Sequence, residues 1–146
     1  MTEGNEQYRW YGATRECNVG DPDQGHLCTS ASCATCYIIR HSYDVDKFAP
    51  CWGRFGKGIS SSATSSKSHD YSTNLSHSPW TALFLNSVVI GNPYNTYEFI
   101  PGITHPPDGY DSIIGHPGTI INWDETVVYR NDAIQPLYLV FYRTSD

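Results

Sequence analysis

The sequence predicts a β-dominated α+β domain, and three observations carry that reading. Aromatic residues are plentiful, with 11 Tyr, 4 Trp and 5 Phe in 146 residues, while charged residues make up only 16%. Such side chains fit pleated, half-buried surfaces. Three apolar runs bounded by turn residues read as strands: 80–90 (WTALFLNSVVI), 126–129 (TVVY) and 137–142 (LYLVFY). Helical stretches are few and short. The length suits one domain around a single core, with residues 1–7 as a disordered lead and 8–146 as the domain.

The first strand is expected at 8–12 (YRWYG), a short aromatic run that ends in glycine. Residues 13–34 are rich in Gly, Asp, Ser and Thr and have almost no apolar period. An irregular stretch of that length inside a domain needs something to hold it. Cys17, Cys28, Cys33 and Cys36 supply it, in the pattern C-x10-C-x4-C-x2-C. Thiolates bind zinc tetrahedrally, and a C-x2-C pair places two sulfurs on one ion. The reading is therefore a structural zinc that clamps an N-terminal loop, with His26 able to replace one cysteine. Free buried cysteines or a disulfide are the alternatives. A catalytic zinc is disfavoured, because four good ligands leave no open position for water.

Residues 36–42 (CYIIRHS) fit a short helix leading to a strand near 43–48. Cys51 stands apart and reads as a small apolar residue rather than a nucleophile, since no base is assigned beside it. The stretch 54–71 (RFGKGISSSATSSKSHDY) follows. Gly53, Gly56 and Gly58 allow tight turns and close approach to a ligand. A short strand is expected at Ile59, then a surface helix over 65–74 with Ser65 or Ser66 as its cap. Ser68 and Tyr71, three apart, share a face of that helix. A hydroxyl and a ring beside a glycine turn can hold a flat polar ring; the plainer reading is a serine-rich capped turn.

After the apolar run 80–90 comes a turn at Gly91-Asn92-Pro93, a further strand over 94–100 and a Pro/Gly-rich loop over 101–111. The last two strands flank a turn at Asn131-Asp132. There are no internal repeats and no charge blocks.

Charge and hydropathy narrow the function classes. A net charge of −6 with no basic stripe argues against nucleic acid as a partner. No apolar run approaches the roughly 20 residues of a membrane span. The opening MTEGNEQYRW is polar and has no signal-like apolar segment, so an intracellular location, cytoplasmic or nuclear, is expected. The odd count of five cysteines, four of them clustered early, suits an intracellular metal site better than a disulfide framework. Asn74-Leu75-Ser76 matches a glycosylation sequon, idle in a protein that is not exported.

GKGI followed by SSKS and Tyr71 resembles the nicotinamide pocket of the poly(ADP-ribose) polymerase family, tankyrases and fungal relatives especially. The likeness continues in order through SVVIGNPY (87–94), THPPDGYDSIIG (104–115) and DETVVYRNDAIQPLYLVFY (124–142). It implies the ADP-ribosyltransferase fold over 53–142 with NAD as substrate. Glu125 falls on the catalytic glutamate, which holds a ribose hydroxyl and stabilises oxocarbenium-like charge. Ser68 and the Gly12 backbone fall on the groups that hold the nicotinamide amide, and Tyr71 falls on a stacking ring. Lys67, between them, reads as an exposed lysine. The early cysteine cluster does not align with the tankyrase zinc site.

Two positions depart from the pattern. Tyr11 stands where the family has a histidine, and Ser60 where it has a tyrosine, so the family's histidine–tyrosine–glutamate set becomes Tyr11, Ser60 and Glu125. Losing one stacking wall costs about 0.5–1.5 kcal/mol, roughly tenfold in affinity. Tyr11 is the graver change, because a phenol is longer than an imidazole. Three functions follow. The first is NAD-dependent mono-ADP-ribosyl transfer or NAD hydrolysis using Glu125, with a small-molecule ligand in the cleft and a protein acceptor. The second is an inactive pseudo-transferase that binds a ligand or a protein partner. The third is acid–base chemistry on another small molecule by Glu125 with His69 or His116.

Overall fold

Nine strands and three α-helices follow one another along the chain in a computed structural model that describes residues 4–49 and 53–144. They are β1 (Glu6–Tyr11), β2 (Thr14–Arg15), α1 (Ala34–His41), α2 (Val45–Phe48), β3 (Ile59–Ser61), α3 (Ser65–Tyr71), β4 (Thr73–Asn74), β5 (Thr81–Val89), β6 (Pro93–Thr96), β7 (Ser112–Gly115), β8 (Glu125–Val128) and β9 (Ile134–Tyr142). A 3-10 turn, Asn131–Ala133, leads into β9. The α+β class expected from composition is what forms, with strands predominant. No helix among the described residues is long and apolar enough to cross a membrane.

β1, β5 and β9 make an antiparallel sheet with the long apolar β5 at its centre. A second sheet has the order β3-β8-β7-β6, and β2 pairs with β4 as a separate two-stranded ribbon. All four residues of β8 are buried. Side chains alternate faces along a strand, so β8 serves two cores. Val128 joins Ile59, Phe84, Val88 and Ile134 in the main core, while Val127 joins Phe55, Ile113 and Ile121 in a smaller one. Glu125 shares the face of Val127. The position of the acid therefore follows from the register of a fully buried strand.

Several elements differ from expectation, each for a local physical reason. The first strand starts at Glu6 rather than residue 8, because pairing with β5 extends to Glu6 opposite Val89. The strand expected near 43–48 is the helix α2. Asp44 caps it by accepting from the Asp46 backbone N–H at 2.9 Å, and this capping outweighs the weak β pattern. Only Pro93–Thr96 of the strand expected over 94–100 is extended; Phe99 and Ile100 turn in against the smaller core. β7, unforeseen after the Pro/Gly-rich loop, is held by partners on both sides, parallel to β6 and antiparallel to β8. Over 13–34 the only regular structure before α1 is the two-residue β2. Cys51 lies outside the described residues.

Candidate functional site

Gly12 follows β1 at a point where the chain runs hard against the backbone of α3. A Cβ there would overlap the Ser68 carbonyl oxygen and sit 2.8 Å from the Ser72 nitrogen, so only glycine allows the approach. On the opposite side Gly56 makes a left-handed turn (φ 70°) tight against the Ile103 backbone. The neighbouring Lys57 N–H donates to the Ile103 carbonyl at 2.8 Å. Between these two close approaches lies a cleft of about 370 Å³. Tyr11, Gly12, Ser60, Ser68, Tyr71 and Glu125 all line it, so the six positions singled out by resemblance meet in one place. Ser68 and Tyr71 share the cleft face of α3, as their spacing requires.

Glu125 is 7% exposed, and its Oε1 accepts from the Lys67 Nζ at 2.6 Å. Lys67 is itself buried, at 8% exposure, and also lines the cleft. This corrects the expectation of an exposed lysine. Its partner is 58 residues away, and nothing in the serine-rich stretch around it signals a buried cation. Glu125 Oε2 and Ser60 Oγ are buried and have no hydrogen-bond partner among the described residues. Buried polar atoms are almost always satisfied, so two orphaned oxygens in one cleft mark where a ligand's donors belong. The cleft thus holds a carboxylate with one oxygen neutralised by an ammonium and the other free to accept.

Tyr11 forms one wall. Its ring packs edge-on against Tyr43, with centroids 5.1 Å apart, and against Phe48 at 6.4 Å. Tyr43 is fixed in turn by donating its hydroxyl to Asn86 Oδ1 at 2.7 Å. Burial pushes the Tyr11 phenol up to about 12. The ring leans on this aromatic group, and the cleft remains open beside it.

Neither histidine proposed for acid–base work faces Glu125. His69 Nδ1 pairs with the Tyr142 hydroxyl at 2.5 Å, and His116 Nε2 pairs with Asn95 Oδ1 at 2.8 Å. Neither lines the cleft. The histidine–carboxylate pair of the third reading is not formed, because α3 turns His69 toward β9 and the loop after β7 carries His116 to β6.

The cysteines form a second site. The Sγ atoms of Cys17, Cys28, Cys33 and Cys36 all lie within 4.8 Å of one another, with Cys17 and Cys36 at 3.5 Å. A tetrahedral zinc with bonds of about 2.3 Å spaces its sulfurs about 3.8 Å apart. Two backbone donors already point at sulfur: Glu16 N to Cys33 Sγ and Cys28 N to Cys36 Sγ, each 3.4 Å. All four cysteines are free, so the disulfide alternative does not apply here. His26 is exposed and stands outside the group. The donor set fits a metal.

The two sites are joined. β2 runs between Gly12 and Cys17 and pairs in parallel with β4, which directly follows α3. Arg15, 1% exposed, donates to the Val19 and Trp80 carbonyls, to Asp21 and to Asn74. The Asn74 amide also donates to the Trp80 carbonyl, so the sequon asparagine is engaged inside the fold.

The family model of the poly(ADP-ribose) polymerase catalytic domain matches residues 2–144 of this chain.

Proposed function

The chain belongs to the poly(ADP-ribose) polymerase catalytic-domain family, and we propose that its cleft binds NAD and transfers a single ADP-ribosyl unit to an acceptor, a protein or water. The observation that carries this reading is Glu125, ionically paired to Lys67 on one oxygen and, among the described residues, unpartnered on the other within the cleft. In this reading the Gly12 backbone and the Ser68 hydroxyl hold the nicotinamide amide, and the Tyr71 ring covers one face. Glu125 Oε2 accepts from a ribose hydroxyl. As the bond between C1′ and the pyridinium nitrogen breaks, its electron pair neutralises the leaving nicotinamide, and the positive charge left on the sugar is stabilised by Glu125. The Lys67 ammonium lies 2.6 Å from the other oxygen of that carboxylate and orients it in the cleft. Tyr11 stands in for the family histidine, with a phenol able to donate or accept at the ribose end. Ser60 offers a hydroxyl where a second stacking wall is expected.

The test is NAD titration by calorimetry on the native chain and on Tyr11→His with Ser60→Tyr, followed by nicotinamide release with Glu125→Ala as control. Binding and Glu125-dependent release by the native chain support the transferase reading. The substitutions at Tyr11 and Ser60 support a second reading, a pseudo-transferase whose cleft takes another ligand. Recovery of NAD binding only in the double variant selects it. The acid–base alternative has lost its histidines and is not carried further.

For the cysteine cluster the reading is a structural zinc held by all four sulfurs. When bound it supplies a closed tetrahedral cross-link and no open coordination site. Metal analysis is expected to find about one zinc per chain, and a metal-free, fully folded protein would refute it.

A further inference from the structure

Asp124 and Glu125 are adjacent carboxylates, Asp124 immediately before β8 and Glu125 its first residue, and they reach different partners. Glu125 enters the cleft, whereas Asp124 reaches the turn that leads into α3. There it accepts from three consecutive residues: Ser62 Oγ at 2.9 Å, the Ala63 backbone N–H at 2.7 Å and Thr64 Oγ1 at 2.6 Å. Thr64 is the N-cap of α3, yet its side chain makes no capping bond to the helix. Its hydroxyl is given to Asp124 instead, a departure from the usual role of threonine at that position. The Asp124 carbonyl also lies 3.5 Å from Lys67 Nζ.

The gripped turn is tied on its other side. Ser62 exchanges two backbone bonds with Trp10, at 2.7 and 3.0 Å, just before Tyr11 and Gly12. One carboxylate thus joins the strand that carries Glu125, the turn that launches Lys67 and Ser68, and the end of the strand that carries Tyr11.

We propose that Asp124 is a positioning residue that sets Lys67 against Glu125, by holding the 62–64 turn at a fixed distance from β8. Asp124 itself does not line the cleft; it acts through Ser62 and Lys67, which do. The functional weight of this role rests on the reading of Glu125 given above, but the positioning itself can be read without any ligand.

The chain has three lysines, Lys47, Lys57 and Lys67, so lysine ammonium signals in nitrogen-15 NMR can be assigned with a Lys67→Met variant. The Lys67 ammonium, held by buried Glu125, is expected to give a slowly exchanging signal in the unliganded protein. Asp124→Asn keeps the size but leaves one acceptor oxygen where the carboxylate's two oxygens take three donors, and it should abolish that signal while the amide spectrum persists. Thr64→Val removes one tie and leaves the carboxylate, so it should broaden the signal, and it decides the matter should Asp124→Asn fail to fold. An unchanged Lys67 signal in either folded variant overturns the proposal. NAD calorimetry on the same proteins separates the two readings. About tenfold weaker binding in Asp124→Asn, together with the lost signal, supports both. A lost signal in a chain that never binds NAD supports the positioning role and overturns the ligand reading alone.

Discussion

The cysteine cluster and the cleft are built in opposite ways. All four sulfurs come from one segment, 17–36, so chain proximity alone brings them near one another. The cleft draws Tyr11 and Gly12, Ser60 to Tyr71, and Glu125 from three distant segments. The first can be held by a single ion whatever the rest of the fold does. The second exists only when the two sheets are in register. Yet β2 and β4 join them, because the segment that leaves the cleft at Gly12 enters the cluster at Cys17. The lesson is that a locally determined knot can steady a site that is itself entirely non-local.

The largest expected effect tests that joint. Stripping the proposed zinc with a chelator, or Cys36→Ser, should cost more than about 4 kcal/mol, since loss of a structural metal is among the few single changes of that size. Hydrogen exchange should show the Thr73 and Leu75 amides, which donate to the Ala13 and Arg15 carbonyls, losing protection together with the cluster. If they keep it, the two regions are independent and the comparison fails.

Next in size is the buried ion pair. Lys67→Met leaves Glu125 buried without its partner and should destabilise by about 3–5 kcal/mol in urea unfolding. Lys67→Met with Glu125→Gln, which removes both charges, should recover much of that loss. Equal costs for the single and double variants would show that the pair contributes packing rather than charge. Both variants should keep the zinc content of the native chain.

The smallest effect concerns Tyr11. Burial raises its phenol to about 12, above the ordinary value near 10. The neutral form is the one the fold favours. Its contribution is therefore fully present below about pH 10 and is lost as pH rises through about 12, by up to about 3 kcal/mol. Tyr11→Phe should flatten the alkaline fall in stability over that window. An unchanged slope would assign the fall to Tyr43 and Tyr129, which burial also raises.

Legibility in the sequence followed the reach of each interaction. The spacing of Ser68 and Tyr71 was readable because both sit on one helical face, and the cysteines because a ligand pattern is a matter of counting. Lys67 read as exposed because its carboxylate lies 58 positions on. Asp124 carried no signal at all: an acid before an acid at a strand start looks like solvated charge until the turn it grips is in place. α2 was hidden because a capping aspartate and four residues are too little pattern to outweigh neighbouring apolar positions.

The sequence by itself determined the strand-rich class, the long central strand, the sulfur knot and the serine–tyrosine face of α3, since each depends on residues a few positions apart. The tertiary structure alone decided that Glu125 would be buried against Lys67, that two oxygens would have no partner among the described residues, and that both histidines would turn elsewhere. Those outcomes depend on which strand lies beside which. Strand pairing is the cooperative result of two cores closing on β8, and no local pattern encodes it.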